Sequence, residues 1–267
     1  MTKPIMSRLL LPGLALAMLA APLGASAQAQ AQAQAQQACA ALTITGHPSY
    51  PPVAWAAKGR IVGVAPTLVR GIAEKLGVKK VVSKDFGSWE AAQDAARKGE
   101  ADVIFGIYKN DARAVYLEYI EPHFMTDPVA IVVRKGKGFA YAEWSDLKGR
   151  KGVTNQGESF GDKFDAFMQS DLTVARAAGV DKAFAALLGG AADYMIIGLY
   201  PGRNEAKRFR IAGKIAFLPK DLVSAQMYVA FSKQSKCAGL KAGFGAEIKK
   251  AVDGGKVKEL LKAGEKK

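Results

Sequence analysis

The chain has few of the residues on which metal and nucleophilic chemistry depends. Its 267 residues include two cysteines, two histidines and three tryptophans. There is no CxxC pair and no His/Cys cluster, so no metal site and no bound cofactor is expected. No Ser-His-Asp set, paired-carboxylate motif or phosphate-cradling glycine loop occurs either, so catalysis is not expected. Acid is also short, with 24 Asp and Glu against 38 Lys and Arg, a net charge of +14. That excess steers anionic ligands or surfaces toward the protein. The basic residues are scattered and not interleaved with aromatics, which argues against nucleic acid as a partner. Beyond residue 23 no apolar run is long enough to cross a bilayer.

The amino terminus carries Lys3 and Arg8, then an apolar run from Leu9 to Leu23, then Ala25-Ser26-Ala27. This is the pattern of a secretory signal peptide cleaved after Ala27, and it predicts a periplasmic protein. Pro12, Gly13 and Pro22 interrupt the run, and it is too short for a membrane span. Residues 28–38 alternate Gln and Ala, a low-complexity stretch expected to be disordered. In an exported chain the even pair Cys39 and Cys237 suggests a disulfide, with two unpaired thiols as the alternative. The loop it closes, about two hundred residues, corresponds to roughly 5 kcal/mol in the chain-entropy model.

From Leu42 onward, strand and helix patterns alternate. Strands are predicted at 42–45, 80–82 and 101–107, and helices at 66–76 and 89–97, the latter capped by Ser88. A turn at 123–127 precedes an extended segment, 128–134. A second set follows: strands at 152–154, 172–175 and 192–197, with helices at 159–168 and 181–188. Strands at 214–218 and 224–231 and two closing helices, 239–251 and 256–262, complete the chain. Such order implies an α/β protein with mostly parallel sheet. Two similar sets plus a returning tail suggest two lobes, 39–125 with 224–267, and 126–223. They would be joined by a two-segment hinge that can close around a ligand.

The segment from Gly99 to Phe124 carries the strongest signal. A strand ends near Ile107 and a lone Arg113 follows, where ligands of open α/β sheets gather. A guanidinium there can hold both oxygens of a carboxylate. Gly106, Tyr108, Asn110 and Arg113, then Tyr119 and Pro122, resemble the pattern of periplasmic solute-binding proteins of family 3. These are the binding components of polar amino-acid ABC importers. The resemblance extends to Tyr50-Pro51-Pro52, to Lys58 through Gly63, to Leu147 through Val153 and to Gly189 through Asp193.

That resemblance implies a type II-like periplasmic binding protein fold, with a cleft between its lobes. It implies Arg113 and Ser159 on the ligand carboxylate, with Gly157 and Glu158 in the loop that opens the second-lobe helix. Tyr50 becomes an aromatic wall, with Trp55 and Tyr108 as additions, and Gly106 lies on the first-lobe strand. Trp89 reads as core, and His47 and His123 receive no chemistry. One departure stands out. The position that usually supplies an acid to an α-amino group is Gly198. Glu121, Asp127, Glu158 and Asp162 are the acids that remain, and the sequence selects none of them.

The expected function is therefore capture of a small carboxylate-bearing solute for a membrane permease. The solute is an amino acid or a close analogue, and the binding protein acts as a monomer. A partner of a chemoreceptor or sensor kinase is the alternative, and a dehydratase-like enzyme a more distant one. The chain closes soon after its last helix, so no fused catalytic, kinase or membrane segment is expected.

Overall fold

The computed structural model describes residues 39–264. The expected signal peptide and Gln/Ala leader lie outside the described residues. Strand β1 (Ala41–Gly46) buries Leu42 and Ile44 completely. Three short strands follow, β2 (Ser49–Tyr50), β3 (Ala54–Ala57) and β4 (Arg60–Val62), paired as a small antiparallel sheet. Sequence reasoning saw only loops here, because strands of two to four residues are too short to show alternation. Helix α1 (Val64–Lys75) buries Val64, Ala65, Leu68, Val69 and Ile72, a single stripe at helical spacing. Strand β5 (Lys80–Ser83) and helix α2 (Trp89–Lys98) follow. The Ser88 side chain accepts the Ala91 N–H at 3.0 Å, and Gly99 ends α2 at a positive φ of 77°.

Strand β6 (Val103–Tyr108) leads into a single helical turn, α3 (Asp111–Ala114). β1 pairs in parallel with both β5 and β6, giving the first lobe its sheet. The next strand departs from expectation. Instead of a turn at 123–127, β7 runs unbroken from Leu117 to Arg134. Its partner keeps it extended, since β12 (Val223–Ser232) lies antiparallel along it from Leu117 to Val129. A register shift between Met227 and Val229 takes up the irregularity.

After β7 come β8 (Lys151–Asn155), α4 (Asp162–Asp171), β9 (Thr173–Ala177), α5 (Val180–Leu188) and β10 (Tyr194–Gly198). Then come α6 (Leu199–Arg208), β11 (Ile215–Phe217), β12, α7 (Lys241–Asp253) and α8 (Lys256–Gly264). β8 is parallel to β9 and β10, while β10 and β11 run antiparallel to β7. The sheet order is β5-β1-β6-β12-β7-β10-β8-β9. Thus β12 and β7 occupy the middle, with a parallel trio on either side.

Helix α6 has no counterpart in the sequence reading. Its segment is rich in charge and carries Pro201 and Gly202 in its first turn, where proline is tolerated but the apolar stripe is thin. The Cys39–Cys237 disulfide is formed between residues 198 apart, and both cysteines are buried. It fastens the start of β1 to the segment that leads into α7.

Candidate functional site

Arg113 sits in α3, just past the carboxyl end of β6, and is 4% exposed. Asn110 caps this turn, accepting the Arg113 backbone N–H at 2.8 Å. The guanidinium donates from Nε to Gln93 Oε1 (3.0 Å), from Nη1 to the Tyr108 carbonyl (2.9 Å) and from Nη2 to the Gly157 carbonyl (3.0 Å). The Trp89 ring lies 5.6 Å away. All three acceptors are neutral, and Arg113 makes no ion pair among the described residues. A buried cation without a counter-charge favours an anionic ligand.

Several contacts cross between the lobes at this point. Asn110 Nδ2 donates to Ser159 Oγ at 2.7 Å, and Gln93 Nε2 donates to the Gly157 carbonyl at 3.1 Å. His47 Nε2 lies 3.2 Å from Glu158 Oε1. His47 Nδ1 accepts the Ser49 N–H, and its Nε2 also lies 3.2 Å from Asn155 Nδ2. Tyr50 and Trp89 pack against the imidazole at ring-centroid distances of 5.3 and 5.2 Å.

Ser159 does not cap the helix it precedes. Gly161 occupies that position, and the helix begins at Asp162 rather than Ser159. The Ser159 hydroxyl and the Phe160 N–H are both taken by the Asp165 carboxylate. This leaves the Ser159 side chain turned toward the opposite lobe through Asn110.

A second cluster surrounds Asp127, on β7 and fully buried. Its Oδ2 accepts from Tyr50 Oη at 2.7 Å and from Tyr108 Oη at 3.0 Å, and the two hydroxyls are 2.5 Å apart. Its Oδ1 has no well-formed hydrogen bond. Burial pushes the carboxyl up to about 6, against the opposing pull of both tyrosine hydroxyls and the Tyr200 N–H. The same burial, with Asp127 nearby, raises both tyrosines well above their ordinary value. Gly198 closes this corner, because a Cβ there would overlap Tyr50 Oη and Asp127 Oδ2.

The structure thus joins Arg113 to Gly157, Tyr50 and Tyr108 to Gly198, and sets Ser159 and Glu158 on the facing lobe. Gly106 contributes a backbone role. At φ 68° it is the unpaired residue where β12 shifts register opposite Ile107 and Phe105. Trp55 stands on β3, paired with Ser49. Gln93 is not named by the sequence, His47 is given no chemistry there, and Asp127 is one of four acids among which the sequence selects none. Gln93 carried a usable signal, as a polar residue on the buried alanine face of α2. Trp89 is buried as expected, yet it also lines the cleft. Two cavities flank the interlobe contacts. One of about 420 Å³ is lined by Tyr108, Asn110, Phe160 and Gln226, and one of about 260 Å³ by His47, Trp89, Asn155 and Asp181.

Residues 42–263 match the family model of the bacterial extracellular solute-binding proteins, family 3. No curated protein matches the chain in sequence. Among solved structures, an ArgBP mutant from T. maritima is 20% identical, with a TM-score of 0.70, covering 89% of this chain and 100% of its own. The amino acid ABC transporter substrate-binding protein AbpA from Streptococcus pneumoniae, bound to L-arginine, is 20% identical with a TM-score of 0.71. That match covers 86% of this chain and 97% of AbpA. A histidine kinase sensor domain similar to periplasmic binding proteins is 22% identical with a TM-score of 0.69, covering 84% and 95%. At these identities the likeness is one of fold, a two-lobed periplasmic binding protein.

Proposed function

We propose, since the chain belongs to the bacterial extracellular solute-binding proteins of family 3, that it captures a small carboxylate-bearing solute between its lobes for an ABC permease. The observation that carries this reading is Arg113, a buried cation held by neutral acceptors from both lobes. Three of its five N–H donors are engaged, and two remain for a ligand oxygen. A carboxylate entering here would supply the missing counter-charge and replace the Gly157 carbonyl as the link between lobes. Ser159 and the Gly157–Glu158 loop then complete the grip from the second lobe.

In this reading the signal peptide directs the chain to the periplasm and is removed after Ala27. The lobes are residues 39–125 with 224–267, and 126–223, and closure pivots on β7 and β12. The protein works as a monomer, without turnover of its solute. The kinship with a histidine kinase sensor domain favours a second reading, in which the closed form reports to a membrane sensor.

A thermal-shift screen of residues 28–267 against amino acids and amine-free carboxylates tests the proposal. A solute that binds only the native state raises the melting temperature, and saturation at a hundred times Kd adds about 2.7 kcal/mol. At least one carboxylate is expected to do so in the wild type and not in Arg113→Ala. If no carboxylate shifts the wild type, or if Arg113→Ala responds equally, the capture reading fails.

A further inference from the structure

Four acids stand near the cleft in sequence, and the structure separates them. Glu121 is exposed and paired with Lys109 Nζ at 3.3 Å. Asp162 is exposed and accepts the Asp111 N–H. Glu158 has His47 as its partner at 3.2 Å. Asp127 alone is fully buried, and it makes no ion pair among the described residues. Two phenol hydroxyls share its Oδ2, while Oδ1 is left without a well-formed hydrogen bond. A carboxylate in that position is short of positive charge and of donors.

The space for it comes from Gly198. β10 pairs with β7 at Gly198↔Val129, two residues beyond Asp127, and any side chain at 198 would collide with the carboxylate and with Tyr50 Oη. The corner between the two strands is therefore filled by the acid of β7 rather than by a residue of β10. Tyr108 connects it to the other charged group, holding Asp127 through its hydroxyl and Arg113 through its carbonyl. A buried anion and a buried cation, unpaired with each other, thus meet on one tyrosine.

We infer that Asp127 is the cation-binding group of this cleft, and that the captured solute carries a protonated amine which displaces a tyrosine hydroxyl from it. This rests on the capture reading and adds the second half of the ligand. Arg113 takes the carboxylate, Asp127 takes the ammonium, and Tyr50 and Tyr108 hold the acid in place until the amine arrives.

The experiment is calorimetric titration of the mature protein with matched probes that differ only in the amine. The pairs are L-alanine with propionate, L-glutamine with glutaramate, and 4-aminobutyrate with butyrate. In at least one pair the amine is expected to bind ten times more tightly or better, the α- and ω-amino members showing where it must sit. In Asp127→Asn that preference should fall to threefold or less. Should Asp127→Asn fail to fold, Gly198→Ala decides, because its Cβ crowds the Asp127 carboxylate and is expected to cut the preference to threefold or less. Equal binding within every pair overturns the inference while the carboxylate reading stands. So does a preference that survives in folded Asp127→Asn or, where that variant does not fold, survives undiminished in Gly198→Ala. If no probe of either kind binds, the capture reading fails and this inference with it.

Discussion

Arg113 and Asp127 are both buried in the cleft, and neither pairs with the other, but different kinds of atoms hold them. Arg113 is held by a side-chain amide and two backbone carbonyls, one of which, at Gly157, belongs to the facing lobe. Asp127, at the start of the proposed second lobe, is held by two hydroxyls of the first lobe and feels the Tyr200 N–H of its own. Both groups are therefore solvated across the lobes, the cation by one carbonyl and the anion by two phenols. The cation is also permanent, while the acid titrates near neutrality. Coupling between binding and closure should accordingly draw on both sides, and pH sensitivity on the Asp127 side.

The largest effect should come from Arg113. Truncating one member of a buried charge interaction costs about 2–5 kcal/mol, so Arg113→Ala should weaken a carboxylate probe by roughly thirtyfold or more. Arg113→Lys keeps the charge but cannot reach Gln93, Tyr108 and Gly157 together, and should still be at least about tenfold weaker. Titration calorimetry distinguishes the two. If the lysine restores full affinity, charge alone matters and the fork does not.

Asp127 should show itself in stability before it shows itself in binding. Its folded value of about 6 lies above the ordinary carboxylate value of about 3.9. Between these limits the native state holds more protons than the unfolded chain. Stability should therefore fall as pH rises from about 4 to about 6 and stay lowered above that, by roughly 3 kcal/mol in all. The titratable groups facing it are Tyr50, Tyr108 and Glu158, and burial holds the two tyrosines protonated throughout this window. Asp127→Asn should remove the slope and, without ligand, be the more stable protein at pH 7–8. Urea unfolding across pH 4–8 measures this, with Glu158→Gln as the control. An unchanged slope in Asp127→Asn would place the pH dependence elsewhere.

Gly198→Ala probes the same corner sterically. Its Cβ must displace Tyr50 Oη and Asp127 Oδ2, an overpacking expected to cost about 1–3 kcal/mol in thermal unfolding. Arg113 and its three acceptors should be untouched. A neutral outcome would mean that the Asp127 carboxylate moves away easily and is not fixed by its tyrosines.

The same contrast explains what could be read from sequence. Arg113 follows a clear strand and sits in a short turn capped by Asn110, so its position is legible from local pattern alone. The alternation of strands and helices was legible for the same reason. Asp127 stands before Pro128, and Asp-Pro reads locally as a turn. Only the pairing of β7 with β12, set by residues about a hundred positions later, keeps that stretch extended. Its contact with Tyr50 spans 77 residues and leaves no local trace. His47 was illegible likewise, because its partner Glu158 lies on the other lobe. Where a site is assembled from one segment, sequence shows it. Where two lobes must meet, only the fold does.

The smallest effect is also the one that most directly separates closure from local structure. Asn110 does two jobs, capping α3 through Oδ1 and bridging to Ser159 through Nδ2. Asn110→Ser retains a good cap but is too short to bridge. The loss of one buried hydrogen bond across the lobes is worth about 1 kcal/mol, or roughly fivefold in affinity for a carboxylate probe. Melting of the ligand-free protein should change less than that. If affinity is unaffected while the melting temperature falls, Asn110 serves the turn that carries Arg113 and not the closure. The interlobe coupling would then rest on the guanidinium with the Gly157 carbonyl, and on the two tyrosine hydroxyls at Asp127.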